Sequence, residues 1–205
     1  MPNQTTVSAT VILAGGQSSR MGKAKALLAL PNNKTLLDFH ITHAKKLGLP
    51  ILLADNGKNF GKEHGISTVF DYLPSDSTGK GAGALSAICG ALLSVSDGYL
   101  LVSSCDSLVP VDQLWLHLQK HAETEVVYLK NHKDYPLLGL YHGSILEKLK
   151  RYLDDGERSV MKFLESLTVT TVPAPDNWQH LLNFNTQNEF ETAIKILNQQ
   201  TRRSA

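Results

Sequence analysis

At 205 residues, with 42% hydrophobic and 19% charged positions, the chain can bury a full core, yet no apolar run reaches the roughly 18–20 residues that a spanning helix needs. A formal net charge of +1 excludes a global field that recruits nucleic acid or an anionic membrane, so any anion site must be local. The polar opening "MPNQTTVSAT" has no basic and apolar regions of a secretory signal, and Cys89 and Cys105 have no histidine partner nearby; a cytoplasmic protein with free, buried thiols is expected.

The elements follow in order. "SATVILA" (8–14) predicts a buried strand. "TLLDFHITHAKKLG" (35–48) has apolar residues at helical spacing and Gly48 as a stop. "PILLAD" (50–55) and "STVFD" (67–71) predict strands, the second ending on Asp71. "GALSAICGALLSV" (83–95) predicts an apolar helix whose small residues pack closely. "GYLLVSSCD" (98–106) is the clearest strand and ends on Asp106. "VDQLWLHLQKHA" (111–122) predicts a helix started by Pro110 and Asp112. "EVVYLK" (125–130) and "LLGLY" (137–141) predict two strands, and "SILEKLKRYL" (144–153) and "SVMKFLESL" (159–167) two helices. "TVTTVPA" (168–174) predicts a strand and "QNEFETAIKILNQQ" (187–200) a closing helix.

This alternation predicts an α/β fold with a largely parallel sheet. Neither a linker nor a repeat divides the chain, so one domain covers residues 1–205, with its core over about 8–197 and a frayed tail over 198–205. In open α/β sheets, ligands bind beyond the carboxyl ends of the strands. There the chain carries Gly15, Gly16, Ser18, Ser19 and Arg20, then Asn56, Asp71 and Asp106. A glycine loop, cations and two carboxylates on one rim make a metal–nucleotide site.

Gly15 and Gly16 leave backbone N–H groups open to phosphate, and Arg20 and Lys25 supply cations to neutralise it. The loop is neither a Walker A motif nor a G-x-G-x-x-G fingerprint. A single carboxylate at a strand end suffices for Mg²⁺, which keeps waters and takes phosphate oxygens; Asp106 is the candidate, a helix cap or a solvated loop aspartate the bland alternative. Asp71 fits a ribose or base contact, a metal contact or a turn cap. Glu157 and Arg158 read alone as a capped helix start with an exposed ion pair. Asn183 and Asn185 alternate along an extended segment and read alone as turn residues or as two amides pointing one way. Of the histidines, among them His40, His43, His117 and His121, none joins ligand spacing to a third partner; His117 and His121 stand four apart, and the wet face of a helix explains them better.

"LAGGQSSRMGKAKALL" (13–28) resembles the opening signature of the molybdenum cofactor guanylyltransferases, the MobA family. "SSCDSLVP" (103–110), "DDGERSVMKFL" (154–164) and "LLNFNTQNEFETA" (181–193) resemble that family's later segments in order, over about residues 9–195. The resemblance implies a three-layer, Rossmann-like nucleotidyltransferase fold. It implies GMP transfer from GTP to molybdopterin with Mg²⁺ as cofactor, and molybdoenzyme chaperones as further partners. Leu13, Ala14, Gly15, Gly16, Lys25, Asn56, Asp71 and Asp106 would bind nucleotide. Arg20, Lys25 and Asp106 would act in catalysis, Asp106 would hold the metal, and Arg158, Asn183 and Asn185 would face the pterin. The chain departs from the pattern at Ala24, Lys80, Leu108 and Gln187. Two alternatives stay open: a CTP-using relative acting on the same or another phosphorylated acceptor, and a nucleotide-binding regulator without catalysis. CTP users usually read L-A-A-G at the opening, where this chain has Leu13-Ala14-Gly15-Gly16.

Overall fold

The computed structural model describes residues 6–16, 24–75, 82–95 and 97–204. Among them run seven strands: β1 Val7–Leu13, β2 Ile51–Ala54, β3 Ser67–Thr68, β4 Tyr99–Ser104, β5 Val126–Lys130, β6 Asp134–His142 and β7 Val169–Pro173. The α-helices are α1 Leu36–Lys45, α2 Ala84–Leu92, α3 Val111–Leu118, α4 Leu146–Asp154, α5 Val160–Leu164 and α6 Gln187–Ser204. Each element expected from the sequence is present, most of them shorter than the pattern that signals them.

The strands form one sheet in the order β3-β2-β1-β4-β6-β5-β7. β1 pairs in parallel with β2 and β4, β2 with β3, and β5 with β7, whereas β6 runs antiparallel to both β4 and β5. The reversal follows from connection length. Residues 131–133 link β5 to β6, with Asn131 N–H bonded to Lys133 O at 3.0 Å, and so short a link can only make a hairpin. The other links carry helices and restore the parallel direction.

Helices cover both faces, so a central strand must be apolar on both sides. β4 is buried at all six positions. One core packs Ile12 and Leu101 against Leu36, Leu37, Leu114 and Phe190 of α1, α3 and α6. The other packs Val11, Leu100 and Val102 against Ile88, Leu149 and Phe163 of α2, α4 and α5. The result is three layers. Among the described residues, no helix is long and apolar enough to cross a membrane.

Local chemistry sets the helix ends. Thr35 caps α1: its hydroxyl accepts from Asp38 N–H at 3.1 Å, while Asp38 Oδ2 accepts from Thr35 N–H at 2.6 Å. Gly48, at φ 65°, takes the left-handed turn that follows. Asp112, in the first turn of α3, accepts from His43 at 2.6 Å and Lys46 at 3.0 Å, tying α3 to α1. The closing helix differs from expectation: it continues to Ser204 instead of fraying after 197, with Leu197 packed on the core and Gln200 Nε2 donating to Asn177 O at 2.6 Å.

Candidate functional site

Leu13 is in register with Ala54 of β2 and Ser104 of β4, so three strands end at one level. The residues that follow them build a rim around a cavity of about 340 Å³. Leu13, Gly15, Gly16, Asn56, Asp71 and Asp106 line it, together with Gly83 and Ala84 at the start of α2. A Cβ on Gly15 would stand 3.3 Å from Asn56 Cβ, so the loop after β1 lies against the loop after β2 because no side chain intervenes. Asn56 adopts φ 56°, a conformation asparagine tolerates, and its Oδ1 accepts from the Ser75 hydroxyl at 2.7 Å.

Helix α2 organises the third wall. Gly90 leaves room for the Phe70 carbonyl, and Ser86 holds the passing chain: its carbonyl accepts from Tyr72 N–H at 3.0 Å and its hydroxyl from Leu73 N–H at 2.9 Å. Asp71 is thereby set into the cavity. Burial raises the pKa of its carboxyl, against an opposing hydrogen bond from Ala82 N–H. Gly83, at φ 95°, opens α2, whose first N–H groups and positive dipole end border the cavity and favour an anion there.

Asp106 follows β4 and is held by its own backbone. Cys105 N–H donates to Leu13 O at 3.0 Å, and Phe184 N–H to Asp106 O at 2.8 Å. Its Oδ2 accepts from Asn183 Nδ2 at 2.8 Å; Oδ1 has no hydrogen-bond partner among the described residues. No group of three or more His, Cys, Asp or Glu side chains is placed to cage a metal among those residues. A lone carboxylate in the cavity wall, with one oxygen not hydrogen-bonded among the described residues, fits a hard cation that completes its shell with water and phosphate, and does not fit an all-protein cage.

Lys25 donates to Phe184 O at 2.6 Å and to Asn185 Oδ1 at 3.0 Å, and its ammonium lies 4.0 Å from Asp106 Oδ2. Asn185 Nδ2 in turn donates to Asn183 Oδ1 at 2.8 Å. Lys25, Asn185, Asn183 and Asp106 therefore form one polar chain, although 160 residues separate Lys25 from Asn185 in sequence. A second cavity, of about 220 Å³, adjoins the first; Asp106 and Leu137 line both, and Asn183, Lys133, Tyr135 and Val160 line the second. Leu137 reaches this place through a bulge: Tyr128 pairs with Gly139 and Leu129 with Tyr135, so 136–138 leave the ladder where Pro136 has no N–H to give.

Several expected residues stand elsewhere. Ala14 is buried and gives its N–H to Ala54 O at 2.8 Å, so it fixes the strand end and is not part of the cavity lining. Arg158 donates to Leu153 O at 2.7 Å and Glu157 O at 2.6 Å, closing the end of α4, and lines neither cavity. Arg20, with Ser18, Ser19, Gly22 and Lys80, lies outside the described residues. The sequence reading missed Gly83, Ala84, Ser104, Leu137 and Lys133; a glycine before an apolar helix and a proline inside a strand pattern were the available signals.

Three further titratable groups lie buried in the core. His40 is fully buried, and burial holds its pKa near 4, well under the usual 6.5. Its Nε2 meets Ser107 O at 3.0 Å and its Nδ1 meets Ser103 Oγ at 3.3 Å. Cys89 and Cys105 are free and buried, as expected; burial pushes Cys89 up to about 12 and raises Cys105 as well.

The MobA-like NTP transferase domain matches residues 10–170. A molybdenum cofactor guanylyltransferase of Yersinia pseudotuberculosis is 32% identical over 86% of this chain and 89% of its own. One from Vibrio parahaemolyticus is 28% identical over 91% of this chain and 95% of its own. The molybdopterin-guanine dinucleotide biosynthesis protein A of Archaeoglobus fulgidus superposes with a TM-score of 0.73, covering 93% of this chain and 99% of that one, at 19% identity. At that identity the likeness establishes the fold alone.

Proposed function

The chain belongs to the MobA-like NTP transferase family, and on that premise we propose that it moves GMP from GTP to the terminal phosphate of molybdopterin. An oxygen of the acceptor phosphate attacks the α-phosphorus, the bond to the bridging oxygen breaks, and pyrophosphate leaves. The guanine dinucleotide form of the cofactor results. That the relatives from Vibrio parahaemolyticus and Yersinia pseudotuberculosis are molybdenum cofactor guanylyltransferases supports this choice of substrates.

The observation that carries the reading is the position of Asp106 in the wall shared by two adjoining cavities. The larger holds the nucleotide, with its phosphates against Gly15, Gly16 and the start of α2. The smaller, beside Asn183, takes the acceptor. The attacking phosphate is already an anion, so this chemistry needs position and charge neutralisation more than a base. Mg²⁺ held by Asp106 would supply Lewis-acid stabilisation of the phosphoryl charge. Asn183 keeps Oδ2 occupied and so orients Oδ1, and Lys25 brings a cation to the boundary between the cavities.

Single-turnover transfer of labelled GTP to molybdopterin tests the proposal, run beside CTP at equal concentration. Acceptor-dependent release of pyrophosphate from GTP is expected. Transfer from CTP in its place would assign the other base, and nucleotide binding without transfer of either would assign a regulator.

A further inference from the structure

We propose that His40 is a positioning residue for the Asp106 carboxylate: its buried imidazole spans the turn between Ser103 and Ser107 and so sets where that carboxylate points. This rests on the metal reading given above. His40 lies on α1, 67 residues from Ser107, and has no accessible surface, so it cannot touch a substrate. Its ring bridges two points that bracket Asp106. Nε2 meets the Ser107 carbonyl at 3.0 Å, an acceptor only, so Nε2 carries the proton and donates. Nδ1 is then the acceptor and takes the Ser103 hydroxyl at 3.3 Å. The tautomer is set by the partners.

The turn needs such a brace. Ser107 N–H and Oγ both bond Ser104 O, at 3.2 and 3.1 Å, which closes the turn but does not say how it tilts against the sheet. Four ties decide the tilt. Cys105 N–H reaches β1 at Leu13 O, Asp106 O receives Phe184 N–H, Leu108 N–H reaches Leu181 O at 2.8 Å, and the Ser107 carbonyl receives His40. The first two act on one side of Asp106 and on its own carbonyl; the last two hold the 107–108 peptide by its two ends, and His40 alone holds its carbonyl. Without His40, that buried carbonyl loses its partner and the peptide can tilt about the Leu108 N–H bond. Partners that orient a metal ligand commonly matter about 10–100-fold in metal affinity or activity.

The test compares two variants. Asn at position 40 can reach toward Ser103 but not Ser107; Gln extends its amide N–H far enough to replace Nε2. Mn²⁺ binding to the protein saturated with a non-hydrolysable GTP analogue is measured by electron paramagnetic resonance, beside analogue affinity without metal and Tm. His40→Asn should weaken Mn²⁺ binding about tenfold or more with analogue affinity within about twofold, and His40→Gln should recover most of the loss. If both variants lose Tm alike while Mn²⁺ affinity stays at the wild-type value, His40 is a core residue only and the proposal is overturned. Asp106→Asn is the control: unchanged Mn²⁺ binding there overturns the metal reading and this inference with it, whereas loss there with a normal His40→Asn overturns this inference alone.

Discussion

Asn183 donates its side-chain amide to Oδ2 of Asp106 at 2.8 Å, joining the segment before α6 to the carboxylate after β4. That bond occupies one oxygen of a carboxylate that lines both cavities. Asn183→Ala should therefore raise the Mg²⁺ concentration needed for half-maximal transfer and lower kcat about tenfold, with the KM for GTP within about twofold. Steady-state kinetics over a Mg²⁺ series checks this. A rise confined to the acceptor KM would make Asn183 a substrate contact without influence on Asp106.

Asp106→Asn keeps shape and removes charge. The neutral amide is a poor ligand for a hard cation. Transfer should fall at least about 1,000-fold, as expected when charge stabilisation at phosphoryl transfer is lost, while Tm stays within about 3 °C. Circular dichroism melts beside a radiolabel transfer assay test it; turnover near wild type would move the metal elsewhere.

Lys25 is bound to Phe184 O and Asn185 Oδ1, not left to the nucleotide cavity. Lys25→Met should slow transfer about 100-fold while weakening GTP binding by less than about tenfold, because it loosens the boundary between two substrates and also removes a cation. Calorimetry of GTP binding and single-turnover transfer separate the two effects. Loss of GTP binding alone would return Lys25 to a purely phosphate-holding role.

Arg158 closes α4 through two backbone carbonyls. Arg158→Ala should lower Tm by about 3 °C, the scale of one lost helix-end interaction in a chain of this size, with acceptor kcat/KM within about twofold. A tenfold fall in acceptor kcat/KM at unchanged Tm would restore the pterin-facing role that the motif resemblance implies.

Stability should fall with acid before the carboxylates titrate. His40 is held neutral, with its pKa lowered by burial from 6.5 to about 4. A group lowered in the folded state contributes fully above its unfolded pKa and loses that contribution as pH falls toward the folded one. The window is thus pH 6.5 down to about 4, and at about 1.4 kcal/mol per unit the loss is on the order of 3 kcal/mol. His43, also lowered mainly by burial, adds in the same direction. Urea melts at pH 7 and pH 4.5 should show the loss, and His40→Gln should flatten the slope.

The alternation of strand and helix, the rim after β1, β2 and β4, and the candidacy of Asp106 were legible in the sequence. Each rests on local chemistry: periodicity sets element type, glycine frees backbone N–H groups, and a strand written apolar on both faces must lie inside. The antiparallel β6 was not read, because its pattern starts only at Leu137; the true link, 131–133, is hidden in a gap of 131–136. Arg158 was placed with the pterin by its motif, yet its reach to Leu153 O is decided by the geometry of the α4 end.

What the sequence by itself determined is the set of elements and which of their ends carry charge and glycine, since these depend on residues within a few positions of one another. Only the tertiary structure decided that Lys25 and Asn185 touch, that His40 lies beneath the Asp106 turn, and that a bulge at Pro136 brings Leu137 to the partition between two cavities. Those contacts depend on strand register and on the layering of α1 and the 181–185 segment around β4. A hydrogen bond needs its partners within about 3 Å, and no periodicity along the chain specifies that distance between residues so far apart.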